Sequence, residues 1–369
     1  YIYRTDDYGR TWTRIADGSN GIPAGHPVRV VREDDVRRGL LYAGTEFGLF
    51  VSFDDGAHWQ SLQLNLPATP VMDLKVHRGD LAVATQGRSF WVLDDLGPLR
   101  DLAADASSRT ARLYAPRAAA RGYVAPPLQE VDLQLPDNLP HGALLHYVLA
   151  AEAKDAAIEI LDARGTVLRR FGASEAKADQ LPTKAGFHRI VWDLRAGGPQ
   201  GPRPDGKAEP AGKGVKVPPG RYTVRLTAGS LVATQPLTVT GNPRAPGITQ
   251  ADYDAQYALA TAVRDRISTV NRTLADLRSL RRAATAAPYT ASAATAALDT
   301  ALGAVEALIV PPPIKTPVTG QTGMPAGLSA HYDTLYGALV GDGGYGAGSA
   351  EGRPTASRYQ RKADLDSQW

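Results

Sequence analysis

The chain contains no cysteine among its 369 residues. This absence excludes disulfide-stabilised scaffolds, zinc ribbons built on thiolates and thiol catalysis, because each of them needs a cysteine sulfur. It leaves the cellular compartment open, since many periplasmic proteins also lack cysteine.

Long apolar runs and long basic runs are missing as well. No stretch reaches the roughly 18 to 20 apolar residues that span a bilayer, so no membrane span is expected. The 41 basic and 38 acidic residues leave a net charge of +3, and no basic stripe with interleaved aromatic residues occurs, so nucleic acid is not expected as a partner. The sequence starts at Tyr1 and not at Met, which is compatible with the loss of a signal peptide together with an upstream segment.

Several motifs of enzyme and cofactor sites are absent too. There is no Gly-x-Ser-x-Gly elbow and no Walker loop, and the glycine-rich segment 341–348 lacks the Lys-Ser/Thr pair and the preceding strand that a phosphate-binding loop requires. The seven histidines show no metal-ligand spacing. The sequence therefore predicts neither a metal nor a cofactor.

Two octets share the pattern Ser/Thr-x-Asp-x-Gly-x-x-Trp, known as an Asp-box. In such a turn the carboxylate accepts backbone N–H bonds, glycine adopts a positive φ, the hydroxyl caps the entering strand and the tryptophan anchors the outgoing one. The pattern residues are Thr5, Asp7, Gly9 and Trp12 in the first box and, 47 residues later, Ser52, Asp54, Gly56 and Trp59 in the second. They are expected to be structural residues.

A second repeat, at an offset of 40, aligns residues 41–46 with 81–86 and 50–55 with 90–95. Short β-rich runs separated by Gly/Asp turns accompany both repeats, and a period of 40 to 47 residues is typical of β-propeller blades. Residues 1–102 are therefore predicted to be the C-terminal blades of a propeller. Two blades and a fragment cannot close a ring, so we expect upstream blades, in cis or in trans, to complete it. The candidate strands are 28–32, 40–45, 49–53, 59–62, 71–76, 81–85 and 89–94.

The remaining chain divides by composition and periodicity. Residues 103–130 are rich in Ala, Pro and Arg and are predicted to be a linker. Residues 131–241 return to short alternating strands, which indicates an immunoglobulin-like β-sandwich. Residues 249–340 are predicted to form a helical hairpin region, and 341–369 a flexible glycine-rich tail. The predicted fold class is thus mainly β: last blades of a β-propeller, then the sandwich, then an α-helical hairpin.

The helical region begins at a recognisable cap. Thr249 is the expected N-cap and Asp252 its partner in a short capping box. Apolar residues then recur every three or four positions up to Leu280, and the part from Val263 onward is almost a heptad seam. This seam makes the helix over 249–285 a candidate for oligomerisation.

Four segments carry a resemblance to a known family: residues 41–59, 71–95, 185–195 and 219–224. They resemble the C-terminal part of bacterial Asp-box (BNR-repeat) propeller proteins, which are similar to the sortilin Vps10 propeller and are often labelled glycosyl hydrolases. The resemblance covers roughly residues 1 to 280. It implies a longer exported protein, located in the periplasm, in the medium or at the cell surface, and a protein or glycan ligand. Family members commonly carry His where this chain has Gln86.

In a propeller, the turns between the second and third strands of each blade face the ligand groove, on the side opposite the Asp-boxes. The corresponding turns contain Thr45, Glu46, Gln86 and Arg88. Glu46 is a weak candidate for a general acid or base, or else an exposed turn acid. Arg88 is a weak candidate for clamping a carboxylate, or else a salt-bridge partner of a neighbouring blade.

Two functions follow as hypotheses. The favoured one is binding of a protein, peptide or glycan together with assembly, because no complete catalytic set is present. The alternative is part of a sialidase-like or xyloglucanase-like glycosyl hydrolase, which requires two carboxylates flanking one bond or an arginine cluster with a tyrosine nucleophile. In that case the main catalytic residues lie in the upstream blades.

Overall fold

The computed structural model describes residues 1–104, 111–122, 141–202, 208–210, 212–286, 292–312, 314–315, 322–323, 327–344, 347–349 and 352–369. Within these ranges the protein is mainly β, with several antiparallel sheets followed by a few helices. The mainly β class predicted from the alternating sequence patterns is confirmed at this level.

Three small antiparallel sheets occupy the N-terminal part of the chain. Sheet 1 pairs β1 with β2, sheet 2 has the order β3-β4-β5-β6, and sheet 3 has the order β7-β8-β9. The helix α1 (Gly97–Ala104) follows them. The strands are β1 (Ile2–Arg4), β2 (Thr13–Ala16), β3 (Val28–Glu33), β4 (Leu41–Thr45), β5 (Gly48–Ser52), β6 (Gln60–Ser61), β7 (Val71–His77), β8 (Asp80–Thr85) and β9 (Phe90–Leu93).

Sheet 2 lies between sheets 1 and 3, so its central strands are covered on both faces. Every residue of β4 and β5 is buried. One apolar cluster joins Ile15 of sheet 1 to Phe50 and Trp59 of sheet 2. A second cluster joins Tyr42 of sheet 2 to Leu81 of sheet 3. Because a strand covered on both faces needs apolar side chains in both directions, this arrangement explains the continuous apolar runs of β4 and β5.

The candidate strands of sheets 2 and 3 lie within one residue of the observed ends. The constant offset of 40 is wrong for β9, however. Ala43 pairs with Phe50 in sheet 2, whereas Val83 pairs with Trp91 in sheet 3. The pairing register therefore places one more residue between the paired positions of β8 and β9 than between those of β4 and β5, so Trp91, and not Phe90, is the structural equivalent of Phe50.

Two further sheets share one apolar core in the middle of the chain. Sheet 4 has the order β10-β12-β15 and sheet 5 the order β11-β19-β18-β13-β14. Trp192 of sheet 4 meets Tyr222 of sheet 5 in an edge-on ring contact at 5.8 Å. The strands are β10 (Arg112–Leu113), β11 (Ala119–Ala120), β12 (Ala143–Leu149), β13 (Ala157–Leu161), β14 (Val167–Gly172), β15 (Gly186–Trp192), β18 (Gly220–Ala228) and β19 (Leu231–Thr240), with β16 (Gln200–Pro202) paired to β17 (Ala208–Pro210) outside both sheets.

The segment predicted as a linker contributes to these sheets. Within 103–130 the chain finishes α1 and then adds β10 to sheet 4 and β11 to sheet 5. Two-residue strands carry no periodicity of their own, so composition alone suggested a linker there. Residues 105–110 and 123–140 lie outside the described residues.

The C-terminal part contains four helices around an apolar cluster. The capping box is confirmed: the Thr249 side chain accepts from the backbone N–H of Asp252, and the Asp252 side chain accepts from the backbone N–H of Thr249. The helices are α2 (Gln250–Thr285), α3 (Ala293–Ile309), α4 (Leu328–Val340) and α5 (Ala356–Gln368), and the short strands are β20 (Ile314–Lys315), β21 (Thr322–Gly323), β22 (Asp342–Gly344) and β23 (Ala347–Ser349).

One expectation for this region is wrong. The tail predicted to be flexible contains α5, whose polar sequence lacks a strong apolar period. This helix is held by the buried side chain of Leu365 and by Asp366, which accepts a 2.8 Å hydrogen bond from the Tyr332 hydroxyl. The seam of α2 is buried within the chain from Val263 to Leu274, whereas Leu280 at its end is exposed. Oligomerisation through this helix stays a prediction.

Candidate functional site

Each Asp-box folds as a closed hydrogen-bonded turn. In the first box, Asp7 accepts from the backbone N–H of Thr11 at 2.8 Å and from the Thr11 hydroxyl at 2.7 Å. The Thr5 hydroxyl donates to Asp7 at 2.9 Å and accepts from the N–H of Gly9 at 2.7 Å. The backbone and hydroxyl hydrogen bonds from Thr11 hold the pKa of Asp7 below its usual value.

The second box repeats this geometry with a histidine in place of Thr11. Asp54 accepts from the backbone N–H of His58 at 2.8 Å, and the ring nitrogen Nδ1 of His58 lies 2.6 Å from its second oxygen. The Ser52 hydroxyl accepts from the N–H of Gly56 at 2.9 Å. Burial opposes ionisation of Asp54, but the hydrogen bonds from His58 and Ser52 outweigh it and lower the pKa of this carboxyl. Both Asp-box carboxylates are thus engaged by their own turns.

The two Asp-box tryptophans differ in their surroundings. Trp59 is 4% exposed, and its indole Nε1 donates a 2.7 Å hydrogen bond to the carbonyl of Ile15 in sheet 1. Trp12 is 60% exposed and donates only to the carbonyl of Gly9 in its own turn, at 3.1 Å. The second box therefore joins two sheets, whereas the first box has no preceding sheet to pack on among the described residues.

The candidate ligand-facing turns lie at the other end of the sheets. The β4–β5 turn ends where β5 starts and the second Asp-box begins where β5 ends, so the two are separated by the length of that strand. Gly44, at the end of β4, packs so closely on Val71 of β7 that a Cβ would come within 2.5 Å of it. Val71 pairs with Thr85 at the end of β8. The β4–β5 and β8–β9 turns therefore share one edge, which we call the turn edge.

In the first of these turns, the polar side chains are already paired. The buried Thr45 hydroxyl donates to the carbonyl of Gly48 at 3.0 Å and accepts from the N–H of Phe47 at 3.1 Å. The Glu46 carboxylate forms an ion pair with Arg29 of β3. The Glu46 carboxylate is thus already engaged by a neighbouring side chain.

Sequence reasoning missed two residues beside this turn, His26 and Arg29. The rings of His26 and Phe47 lie 4.7 Å apart, and Phe47 remains half exposed. Arg29 was missed as well, although the pairing of Val28 with Thr45 brings Arg29 of β3 next to the β4–β5 turn that contains Glu46. Cross-strand pairing of oppositely charged residues next to a turn is the signal that could have identified Arg29.

The second turn is more open. The backbone N–H of Gln86 donates to the carbonyl of Pro70 at 2.9 Å, and the N–H of Arg88 donates to the Thr85 hydroxyl at 3.2 Å. The side chains of Gln86 and Arg88 are exposed. Among the described residues Arg88 has no ion-pair partner, so the salt bridge to a neighbouring sheet that we considered for it is not formed there.

The described residues contain no group of three or more His, Asp or Glu side chains that could hold a metal ion. In the same part of the chain, none of the helices combines the length and the apolar character needed to cross a membrane.

Comparison with known proteins leaves the family open. No protein-family profile matches the chain, and no curated protein does. Structural comparison finds CopC from Methylosinus trichosporium OB3b at 12% identity and a TM-score of 0.17, covering 36% of this chain and 94% of that one. It also finds the extracellular domain of the putative one component system BT4673 from B. thetaiotaomicron at 11% identity and a TM-score of 0.21, covering 65% of this chain. This chain spans 28% of that domain. Both scores are too low to support an argument about fold or function.

Proposed function

We propose that residues 1–102 are the last units of an Asp-box β-propeller and that this chain acts mainly in binding and assembly. The single observation that carries the proposal is a contrast between equivalent residues of sheets 1, 2 and 3. Side chains that are covered in the middle sheet are open to solvent in the two outer sheets.

The contrast begins on the side of sheet 1. Tyr3 pairs with Arg14 as Phe50 pairs with Ser61, so Tyr3 is the equivalent of Phe50. Phe50 is buried against sheet 1, whereas Tyr3 is exposed, as Trp12 is in comparison with Trp59. The face of sheet 1 that carries Tyr3 thus corresponds to the face of sheet 2 that packs on sheet 1. No sheet covers it among the described residues.

The contrast continues on the side of sheet 3. Leu49 pairs with Gly44 as Phe90 pairs with Ala84, so Phe90 is the equivalent of Leu49. Leu49 is 3% exposed beneath sheet 3, whereas Phe90 is 80% exposed. Val92, beside Phe90 on the same face, is exposed as well. An apolar face of this kind on a sheet is typical of a surface that another element covers.

The open face of sheet 1 corresponds to the face of sheet 2 that packs on the preceding sheet, and the open face of sheet 3 to the face that packs on the following sheet. Further sheets of the same type therefore fit between them. In the proposal these are upstream blades, supplied by the same polypeptide or by a second one, as in the bacterial Asp-box and sortilin-like propeller proteins that the sequence resembles. Residues 131–241 then form an immunoglobulin-like sandwich and 249–340 contain a helical hairpin, both as docking surfaces of an exported protein.

The turn edge is the proposed ligand-binding side. The exposed Arg88 is able to bind a carboxylate of a peptide or an acidic glycan, and Phe47, backed by His26, offers an aromatic surface on the same edge. A hydrolase has less support, since the Glu46 carboxylate is ion-paired with Arg29.

Hydroxyl-radical footprinting tests the assembly part of the proposal. We expect Trp12, Tyr3 and Phe90 to be oxidised readily in the isolated chain and to be protected in the protein purified from its native host. Tyr359 of α5, which is 44% exposed and lies outside the two open faces and the proposed docking surfaces, is the internal control and should react equally in both samples. Equal oxidation of Trp12 and Phe90 in the two samples would show that no further sheets cover these faces.

A further inference from the structure

The side-chain amide of Asn20 lies at the contact between sheet 1 and sheet 2. Its nitrogen donates to the carbonyl of Ile15 in β2 at 2.9 Å, and to the carbonyls of Gly56 and Ala57 in the second Asp-box at 3.1 and 3.2 Å. The backbone carbonyl of Asn20 accepts from the N–H of Trp59 at 2.8 Å. One asparagine therefore joins β2 to the Asp-box that follows β5.

The next residue, Gly21, has to be a glycine. Its φ is +117°, and a Cβ at this position would lie 1.9 Å from the carbonyl oxygen of Trp59. A residue with a side chain fits neither the positive φ nor this close approach. The contact thus imposes an Asn-Gly pair on the chain, and no other asparagine of the sequence precedes a glycine.

We propose that Asn20 is a site of spontaneous deamidation and that its modification detaches sheet 1 from the second Asp-box. The backbone nitrogen of Gly21 loses its proton and attacks Cγ of Asn20, which expels ammonia and forms a cyclic succinimide. Water then opens the ring to aspartate or to isoaspartate. Because glycine has no side chain, nothing on the attacking residue hinders the first step, and the solvent supplies the water for the second.

The fold slows this reaction by holding the amide in place. With its nitrogen bonded to the carbonyls of both sheets, the Asn20 side chain has to leave the contact before Gly21 reaches Cγ. Among the described residues sheet 1 consists of two strands, and a two-stranded sheet has little stability of its own. We therefore expect this contact to open locally at a lower free energy than the whole chain unfolds.

The product does not fit the contact from which it came. A carboxylate has no hydrogen to donate, so aspartate at this position would face the carbonyls of Ile15, Gly56 and Ala57 without a donor. Acceptors left without a donor cost free energy. Isoaspartate lengthens the main chain and displaces Gly21, which has no free space beside Trp59. Deamidation therefore converts the joined form into the detached form and not the reverse.

Peptide mapping by mass spectrometry, during incubation of the purified chain in mildly alkaline buffer, provides the first test. We expect aspartate and isoaspartate to accumulate at Asn20 at least about tenfold faster in Trp59→Ala than in the parent, because this variant opens the contact more often. Asn271 is the internal control and should stay unmodified in both chains: its amide is also bonded, to the carbonyl of Gln200 at 2.9 Å, but Arg272 follows it. Equal rates at Asn20 in the two chains, or no modification there in either, would overturn the proposal.

The variant Asn20→Asp tests the consequence directly. We expect amide hydrogen exchange in β1 and β2 to be faster in this variant than in the parent at neutral pH, and unchanged in β8 of sheet 3. The difference should shrink in acid, where a protonated carboxyl regains one donor. Asn65→Asp, which makes the same exchange at an exposed asparagine, is the matched control and should exchange as the parent does. Parent-like exchange in β1 and β2 of Asn20→Asp would show that deamidation does not detach sheet 1.

Discussion

The indole of Trp59 reaches across from sheet 2 to the carbonyl of Ile15 in sheet 1, at 2.7 Å. The same carbonyl accepts from the side-chain amide of Asn20 at 2.9 Å, and that amide also bonds the carbonyl of Gly56 in the second Asp-box. One carbonyl of β2 thus accepts two hydrogen bonds at the contact between two successive sheets.

Replacing Trp59 should therefore separate sheet 1 from sheet 2. We expect Trp59→Ala to lower the free energy of unfolding by about 3 to 5 kcal/mol, because a large buried ring and its hydrogen bond are lost together. Trp12→Ala, at the equivalent position of the first box, should cost less than about 1 kcal/mol, since the exposed ring has little to lose. Urea unfolding of the two variants measures the difference. Equal losses would mean that Trp59 does not join the sheets.

A second prediction concerns the fully buried carboxylate of Asp34. Arg100 of α1 donates to its two oxygens at 2.9 and 3.1 Å. Burial opposes ionisation, but the hydrogen bonds from Arg100 and from the backbone N–H groups of Arg37 and Val36 keep the pKa of Asp34 below its usual value.

Removing Arg100 should strongly destabilise the protein. Arg100→Ala leaves a buried charge without its partner, and we expect the free energy of unfolding to fall by about 3 to 5 kcal/mol. Arg32→Ala breaks a solvent-exposed pair with Asp73 and should cost about 1 kcal/mol or less. Thermal or urea unfolding distinguishes the two variants. A small loss for Arg100→Ala would show that α1 is not clamped through Asp34.

Local sequence signals account for much of the fold. The strands of sheets 2 and 3 follow from alternation and turn residues, and the start of α2 follows from the Thr249 and Asp252 pair. The elements that the sequence did not predict depend on contacts with distant parts of the chain. The helix α5 is recognisable only once Tyr332 and the apolar cluster of α2 and α4 are in place, and β10 and β11 exist only as additions to longer strands.

The candidate site was predictable in part. The repeat placed Glu46 and Arg88 in corresponding turns. It did not show that Glu46 forms an ion pair with Arg29, or that Arg88 is exposed. The extra residue in the β8–β9 turn was not predicted either, because an alignment at a constant offset of 40 does not reveal a one-residue insertion. Pairing register, which decides the face on which Phe90 and Trp91 lie, is a property of the assembled sheet.

The exposed Arg88 yields a prediction for binding. Arg88→Ala should weaken binding of carboxylate-bearing peptides or glycans about tenfold and leave neutral analogues unaffected, because one charge-assisted contact of about 1.4 kcal/mol is lost. Arg221→Ala, an exposed arginine on sheet 5, is the matched control and should change nothing. Isothermal titration with paired acidic and neutral probes measures the effect.

Glu46 separates the two functional hypotheses. Glu46→Gln breaks the ion pair with Arg29, and we expect glycan hydrolysis by the assembled protein, where any is measured, to keep its rate. A loss of turnover with retained glycan binding would instead identify Glu46 as a catalytic group and favour the hydrolase.

The last prediction concerns the contact between the N-terminal sheets and sheet 4. His146 of β12 and Asp95, which follows β9, are both buried, and the His146 Nδ1 lies 3.5 Å from the Asp95 carboxylate. Burial, with a smaller contribution from the charge of Arg189, lowers the pKa of His146 to about 4. Burial raises the pKa of Asp95. Both shifts favour the uncharged forms of the two groups.

A histidine whose pKa falls on folding stabilises the protein above its unfolded pKa of about 6.5, and this contribution is lost as the pH falls towards 4, because the unfolded chain takes up the proton first. We therefore expect His146 to remove on the order of 3 kcal/mol from the free energy of unfolding across that window. Asp95 acts in the opposite direction, since its raised pKa lets the folded state bind a proton before the unfolded one. Urea unfolding between pH 7 and about pH 4 should consequently show a shallower loss in His146→Gln than in the parent chain, and a steeper one in Asp95→Asn. An unchanged slope in His146→Gln would mean that folding does not shift the pKa of this histidine.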